Sequence, residues 1–217
     1  MADMDVKLTA VGKAMAKQMK RSWEIPQFAI ATEIDCEPMI AYRKSLSFKP
    51  SYTTILAKAV AETLVDFPVL RSSWAEDHVV VHEDIHIGIA VDTKRGLLVP
   101  VMRDVEKKSL EQLHEDMEDI KAGSEKGLYS MERMQGSVFT ISNLGVFNVD
   151  SFNAIVSAPE SAILAVGKMT EKPVVKNGQI VIGKTMRLSL SSDHRIIDGA
   201  TAAKFMTALA KRLETLA

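Results

Sequence analysis

The stretch TMRLSLSSDHRIIDG, residues 185–199, joins a strand pattern, a histidine and a helix start. Apolar and polar residues alternate from Met186 to Leu190, which predicts a strand with one buried face. His194 follows this strand, and Asp198 precedes the last predicted helix. An unperturbed imidazole has a pKa near 6.5, so a histidine held at a strand end suits proton transfer at neutral pH. The stretch therefore predicts a strand, a turn and a helix, with a candidate catalytic base in the turn.

Ordinary structural roles explain the same residues. An aspartate before a helix is a common N-cap, because its carboxylate accepts hydrogen bonds from free backbone N–H groups. The pattern alone leaves Asp198 open between capping and catalysis, and it favours His194 as an ordinary strand-end histidine. A catalytic His194 also needs its tautomer fixed by a hydrogen bond at the second ring nitrogen. Asp193, Asp198 and a backbone carbonyl are all candidates for that bond.

Strand patterns recur along the rest of the chain. The dipeptide Asn177-Gly178 lies between two short apolar runs and predicts a β-hairpin. Alternating or continuous apolar runs predict extended segments over residues 26–36, 85–93, 96–102, 136–142, 161–167, 172–183 and 185–192.

Helical patterns separate several of these segments. Three- and four-residue apolar spacing predicts helices over residues 51–67, 109–123 and 200–217, the second ending near Gly123. A surface helix is predicted near the N-terminus, with Leu8, Val11, Met15 and Met19 on one face. The order of elements predicts an α+β fold with one large mixed or antiparallel sheet covered by helices. Because no repeat or low-complexity linker divides the chain, we expect one domain.

Composition limits the classes of partner and compartment. The 217 residues include 27 basic and 28 acidic side chains, a formal net charge of −1, which gives no electrostatic case for binding nucleic acid or an anionic membrane. Cys36 is the single cysteine, so no intrachain disulfide can form, which suits a reducing compartment. Neither a secretory signal nor a membrane anchor is recognisable. We expect a soluble protein, cytoplasmic or, if eukaryotic, of the mitochondrial matrix.

A second candidate site lies in TISNLGVF, residues 140–147. Ser142 and Asn143 end an apolar strand, where hydroxyl and amide groups can donate hydrogen bonds to a developing oxyanion. The same groups can equally satisfy the backbone of the turn. The Gly-x-Ser-x-Gly pattern of many serine hydrolases is absent, so we disfavour that class.

Three histidines, His78, His82 and His86, are spaced four residues apart. This spacing puts metal ligands on one face of a helix. The apolar residues around them indicate strands instead, with a turn at Glu83-Asp84 that separates the histidines. We therefore expect no metal site there. No phosphate-binding glycine-rich motif is present either.

The residues around His194 resemble the His-x-x-x-Asp-Gly signature of the dihydrolipoamide acyltransferases, the core components of 2-oxoacid dehydrogenase complexes. Three further stretches resemble that family in the same order: HIGIAVDTKRGLLVPVMRD, QGSVFTISNLG and APESAILAVG. The resemblance covers nearly the whole chain. It implies a chloramphenicol-acetyltransferase-like two-layer sandwich, a mixed β-sheet covered by helices. It also implies that residues 1–217 are an acyltransferase catalytic domain, with no lipoyl or peripheral-subunit-binding domain present.

The resemblance assigns roles to individual residues. His194 is expected to be the general base, and Ser142 to donate its hydroxyl to the tetrahedral oxyanion. Asp198 would order the site, whereas Asp92 and Asn143 are candidates for binding substrate. In this family the histidine and serine meet across a subunit boundary, so the resemblance implies a homotrimer with its active sites between subunits.

Substrates and partners also follow from the resemblance. It implies coenzyme A as a substrate, a lipoyl group on a separate domain or chain, and no metal. The trimers would build a cubic or dodecahedral core that works with a lipoyl domain, a 2-oxoacid decarboxylase and dihydrolipoamide dehydrogenase. The sequence looks more like the acetyl-transferring pyruvate or acetoin dehydrogenase types than like succinyl or branched-chain members.

Departures from the family pattern keep alternatives open. Gly12 and Gln18 stand where members often have arginine, so Lys13 or Lys17 would have to pair with Asp198. Arg71 stands where the family usually has asparagine. Two other functions therefore stay open. One is a chloramphenicol-acetyltransferase-like O-acetyltransferase acting on a small molecule, and the other is a non-catalytic assembly core.

Overall fold

The computed structural model describes residues 4–216, which form eight strands and five α-helices. The strands are β1 (Gln27–Asp35), β2 (Ser72–Ala75), β3 (His78–Val81), β4 (Ile87–Ala90), β5 (Val101–Met102), β6 (Phe139–Asn143), β7 (Ala162–Lys176) and β8 (Gln179–Asp193). The helices are α1 (Ala10–Trp23), α2 (Glu37–Ser45), α3 (Tyr52–Asp66), α4 (Leu110–Lys126) and α5 (Gly199–Glu214).

Six strands form one mixed sheet in the order β1-β8-β7-β6-β4-β5, while β2 and β3 pair separately. Strands β1, β8 and β7 are antiparallel neighbours, whereas β6 runs parallel to both β7 and β4. Parallel neighbours need a crossover connection, and α4 lies in the connection between β5 and β6. The predicted hairpin at Asn177-Gly178 is confirmed, because Lys176 pairs with Gln179 across it.

Helices α3, α4 and α5 contribute fully buried residues to one core with the sheet. Leu56, Val60 and Leu64, the face of α3 expected to be buried, have no exposed area. The ring of Phe205 in α5 lies 6.0 Å from that of Phe139 in β6. Each such side chain contributes about 2 kcal/mol of burial free energy. The α+β fold with a mixed sheet covered by helices is confirmed.

An irregular segment, residues 149–158, covers the other face of the sheet. Ile163 of β7 packs in a small cluster with Val156 of this segment, whereas the next residue, Leu164, belongs to the main core. Neighbouring strand residues point to opposite faces, so the segment and the main helices lie on opposite sides. The Ser189 hydroxyl in β8 donates to the side-chain oxygen of Asn153 at 2.7 Å. Strands β7 and β8 are thus covered on both faces.

Several predicted boundaries were wrong. Helix α4 continues past Gly123 to Lys126 and ends at Gly127, whose φ of 62° is left-handed. Helix α1 begins at Ala10 with Thr9 as its N-cap, so Leu8 lies outside it. Of the extended segment 96–102, only Val101–Met102 forms a strand, and helix α2 was not predicted.

Within residues 4–216, no helix is both long enough and apolar enough to cross a bilayer.

Candidate active site

His194 lies directly after β8, on a backbone held by the strand beside it. Its N–H donates to the carbonyl of Pro26 at 2.8 Å, next to the start of β1. Its imidazole packs against the ring of Phe28, with 4.4 Å between ring centroids and 43° between ring planes. The side chain is exposed. A strand end therefore presents the histidine on a fixed backbone with its ring open to an approaching group.

Asp193 is committed to the turn around His194. It is 1% exposed, and its carboxylate accepts hydrogen bonds from the backbone N–H, Nε and Nη2 of Arg195. Its own N–H donates to the carbonyl of Ser161 at 2.8 Å. The Asp193 carboxylate in turn raises the pKa of the Arg195 guanidinium. With these bonds Asp193 is occupied by Arg195 and is not the orienting partner of the His194 ring.

Asp198 is the N-cap of α5. Its carboxylate accepts a hydrogen bond from the backbone N–H of Thr201 at 2.7 Å, and this N–H lowers the pKa of Asp198. Among residues 4–216, no ion pair joins Asp198 to Lys13 or Lys17. The expected lysine partner is therefore not found within one chain, and the capping role left open by the sequence is present.

Ser142 and Asn143 end β6, as expected. Ser142 is half-buried and pairs with Ala90 of β4 on one side and Ala165 of β7 on the other. Asn143 uses both ends of its side chain inside the fold: Nδ2 donates to the Thr53 hydroxyl at 3.1 Å and Oδ1 accepts from a backbone N–H of the turn. The role of Asn143 in supporting the turn is thus established, while the Ser142 side chain stays at the strand end.

Asp92 lies two residues beyond β4, in an exposed loop. Strands β4 and β6 are parallel, and Ala90 pairs with Ser142, so both strands end at the same side of the sheet. Asp92, Ser142 and Asn143 therefore come together at one end of the sheet.

His194 lies at the opposite end. Ser142 pairs with Ala165, which pairs with Ser189, and His194 is five residues further along the chain. With about 3.3 Å per residue along β8 and about 4.8 Å between strands, roughly 20 Å separates the Cα atoms of Ser142 and His194. No hydrogen bond spans such a distance, so one chain does not bring these two side chains together.

The three histidines considered as metal ligands have separate surroundings. His78 contacts Asp77, and His82 contacts the Ser73 hydroxyl at 3.0 Å, where burial lowers the pKa of His82. Nδ1 of His86 accepts from the backbone N–H of Asp104 at 3.1 Å.

A different set of potential ligand atoms, from Asp84, His86 and Asp104, lies within 4.8 Å. The Lys107 ammonium already bonds Asp84 at 2.6 Å and Asp104 at 3.0 Å. The carboxylates of Asp84 and Asp104 are therefore already paired with the Lys107 ammonium.

Two features near His194 were not predicted from the sequence. Glu160 is 4% exposed, and its Oε1 accepts from the hydroxyls of Ser137 at 2.5 Å and Thr140 at 2.9 Å. Burial raises the pKa of Glu160 to about 7. The second feature is the Arg195 guanidinium, whose carbon lies 4.9 Å from the centroid of the Trp74 ring. For the buried Glu160, the sequence signal was a charged residue beside the apolar run in APESAILAVG.

The whole chain resembles one family. Residues 2–217 match the family described as 2-oxoacid dehydrogenases acyltransferase (catalytic domain). The lipoamide acyltransferase component of the branched-chain alpha-keto acid dehydrogenase complex of Bacillus subtilis (strain 168) is 35% identical, over 99% of this chain and 53% of that protein. The chain thus spans about half the length of the curated relatives it matches.

Solved structures agree with this result. The dihydrolipoamide acetyltransferase of Azotobacter vinelandii superposes with a TM-score of 0.93 at 35% identity, covering 99% of this chain and 92% of that one. A structure described as the cubic core of the pyruvate dehydrogenase multienzyme complex gives the same values. Chloramphenicol acetyltransferase, with a TM-score of 0.57 at 15% identity over 92% of this chain and 91% of its own, shares the fold.

The Azotobacter study concerns a serine, a histidine and an asparagine in the catalytic mechanism of that enzyme. Its serine and histidine are 52 residues apart, as are positions 142 and 194 here, and its asparagine follows the histidine by four residues, as Asp198 follows His194. Fold, sequence and spacing agree, and the chain belongs to the 2-oxoacid dehydrogenase acyltransferase (catalytic domain) family.

Proposed function

We propose that this chain transfers an acyl group, acetyl by preference, between dihydrolipoamide and coenzyme A. His194 is the general base and Ser142 of a neighbouring copy stabilises the oxyanion. The observation that carries the proposal is the exposed His194 ring on its fixed strand end, with Ser142 at the spacing of the Azotobacter serine and histidine.

The chemistry uses groups that this chain supplies. A thiol is mostly protonated at neutral pH, and the thiolate is the nucleophile. His194 takes the S–H proton as the sulfur attacks the carbonyl carbon of the thioester, and the new C–S bond leaves the charge on the carbonyl oxygen. The Ser142 hydroxyl donates a hydrogen bond to this oxyanion. The intermediate then expels the other sulfur, which recovers the proton from the His194 imidazolium.

Separation of the two residues supports a site between copies. Because roughly 20 Å lies between Ser142 and His194 in one chain, the base of one copy has to meet the serine of another. We propose a homotrimer, in which each boundary between copies holds one complete site. Assembly of such trimers into a cubic core is supported by the structural likeness to the cubic core of the pyruvate dehydrogenase complex.

The remaining candidate residues receive supporting roles. Asp198 caps α5 and so orders the turn that carries His194. Asn143 fixes the turn after Ser142, and the exposed Asp92 lines the approach to Ser142 from the neighbouring loop. The lipoyl group arrives on a separate domain or chain, acylated by a 2-oxoacid decarboxylase, and after acyl transfer its dithiol is reoxidised by dihydrolipoamide dehydrogenase.

The test is an acyl-transfer assay with acetyl-CoA and dihydrolipoamide. We expect turnover by the wild-type assembly and a loss of about 10²- to 10⁴-fold in kcat for His194→Ala. His78→Ala is the matched control, because His78 lies in the exposed β3 strand, and it should retain wild-type turnover. Parallel assays with a branched-chain acyl-CoA and with chloramphenicol as acceptor test the acyl preference and the choice of thiol over hydroxyl.

Wild-type turnover with chloramphenicol but not with dihydrolipoamide would indicate an O-acetyltransferase. No turnover with any acceptor by the assembled protein would indicate a non-catalytic core. Equal turnover by wild type and His194→Ala would exclude His194 as the base.

A further inference from the structure

The β2–β3 hairpin lies outside the six-stranded sheet and contacts the turn that carries His194. Trp74 of β2 places its ring 4.9 Å from the guanidinium carbon of Arg195, the residue after His194. The two planar groups attract each other, because the aromatic face is electron-rich and the guanidinium is cationic. Trp74, which is far from His194 in sequence, thus contacts Arg195, the residue that follows His194.

Side-chain hydrogen bonds join the two ends of the β2–β3 hairpin. Arg71 Nη1 donates to the carbonyls of His82 and, at 2.7 Å, Glu83, which lie just beyond β3. The Ser73 hydroxyl contacts Nε2 of His82 at 3.0 Å. Arg71, the departure from the family's usual asparagine, therefore holds the two ends of the hairpin together.

A second link reaches the other side of His194. Ser73 pairs with Glu160 in an isolated antiparallel bridge. The next residue, Ser161, accepts the backbone N–H of Asp193 at 2.8 Å. The hairpin is thus connected to both neighbours of the histidine, to Asp193 through the backbone and to Arg195 through the Trp74 ring.

We propose that Trp74 is a positioning residue for His194. It holds the Arg195 guanidinium in the orientation that gives Asp193 its hydrogen bonds, and these bonds close the turn that aims the imidazole. The proposal rests on the proposed function, in which His194 is the base. All the hydrogen bonds found for the buried Asp193 carboxylate within residues 4–216 come from Arg195, three from its guanidinium and one from its backbone N–H. A displaced guanidinium therefore leaves this buried charge with the backbone bond alone and shifts the turn.

Kinetics of three variants test the proposal. Trp74→Leu removes the aromatic face and should lower kcat about 10-fold, with KM for coenzyme A within about 2-fold of wild type, because displacement of a base costs turnover more than binding. Trp74→Phe keeps an aromatic face and should restore most of kcat. Val80→Ala is the control, because Val80 pairs with Ser73 and lies on the other face of the hairpin from Trp74. It should behave as wild type.

Hydrogen exchange provides a readout that needs no activity. The Arg195 N–H donates to the Asp193 carboxylate at 3.0 Å, so Trp74→Leu should speed exchange of this amide by about 10-fold while global unfolding is unchanged. Trp74→Phe and Val80→Ala should keep the wild-type rate. Unchanged exchange in Trp74→Leu overturns the proposal even if the wild type proves inactive. An active wild type with equal kcat in Trp74→Leu also overturns it, whereas an inactive wild type with faster exchange rejects only the acyl-transfer function.

Discussion

Ser142 and His194 occupy opposite ends of the same sheet within one chain. The strand pairs Ser142 with Ala165 and Ala165 with Ser189 fix their relative positions, and roughly 20 Å separates them. Under the proposed function, each chain carries one half of two different sites.

Chains with complementary defects should restore each other. Ser142→Ala and His194→Ala assemblies are each expected to be nearly inactive, since one lacks the oxyanion donor and the other the base. After the two are unfolded together and refolded at equal amounts, about a quarter of the boundaries should combine an intact Ser142 with an intact His194. Acyl-transfer turnover of the mixture should therefore reach about a quarter of the wild-type value.

The control is a double variant that carries both changes. It should gain no activity when it is refolded with either single variant, because each such mixture lacks an intact Ser142 or an intact His194. If the refolded mixture of single variants stays inactive while wild type recovers under the same procedure, each site belongs to one chain and the shared-site arrangement is wrong.

Asp198 should be needed for helix capping more than for its charge. Its carboxylate oxygen accepts the Thr201 N–H at 2.7 Å, and an asparagine side chain caps a helix about as well as an aspartate. Asp198→Asn should keep both the thermal unfolding midpoint and the turnover. Asp198→Ala should lower the unfolding midpoint, as followed by circular dichroism. Loss of turnover in the asparagine variant at an unchanged midpoint would show that the negative charge itself is required.

The buried Glu160 should make stability fall as pH rises. Burial raises the pKa of this group from 4.5 to about 7, so the folded chain holds a proton that the unfolded chain releases between these values. The stabilisation is complete below pH 4.5 and is lost as the pH passes 7. Glu160→Gln resembles the protonated form at every pH. The free energy of unfolding can be measured with urea for both proteins. The difference between Glu160→Gln and wild type should grow by on the order of 3 kcal/mol in favour of the variant between pH 4.5 and a pH above 7.

Thr140→Val tests the cause of this effect, because it removes one of the two hydroxyls that donate to Glu160 Oε1. With less stabilisation of the carboxylate, the pKa of Glu160 should rise further, so the stability loss of this variant should extend to higher pH and be larger than that of wild type. A parallel pH dependence in wild type and Glu160→Gln would exclude Glu160 as its source.

Gly167 should tolerate no side chain. A Cβ placed there would lie 2.0 Å from the carbonyl oxygen of Asp150, where the irregular segment crosses β7. Gly167→Ala is expected to reduce the free energy of unfolding by about 3 kcal/mol or more. Gly12→Ala in helix α1 is the matched control: its Cβ would meet only ordinary contacts, and alanine should stabilise the helix by about 0.5–1 kcal/mol. Equal denaturation midpoints for the two variants would contradict the close approach at Gly167.

Local signals in the sequence predicted the elements that depend on neighbouring residues. The Asn177-Gly178 turn, the buried face of α3 and the strand before His194 all have their cause within a few positions. Helix α4 shows where such reasoning failed. Gly123 was expected to end it, but the Tyr129 ring lies where a Cβ of Gly123 would be, at 2.4 Å, so this glycine makes room for packing rather than ending the helix.

Contacts between distant segments were not readable from the pattern. The candidate site residues were identified by resemblance, yet the positions of Ser142 and His194 at opposite ends follow from strand order, which periodicity does not encode. The contact between Trp74 and Arg195 joins residues that are far apart in the chain. Glu160 is buried against the hydroxyls of Ser137 and Thr140, which lie about twenty residues earlier in the chain. Neither feature has a local signature, because both arise only when separate elements pack.

The sheet that separates Ser142 from His194 also sets the spacing between successive sites of a closed ring. In such a ring, each copy contributes Ser142 to one boundary and His194 to the next. The paired strands between these two residues then set the distance between the two boundaries. In the proposed homotrimer, the strand pairing within one subunit therefore fixes the distance between neighbouring sites.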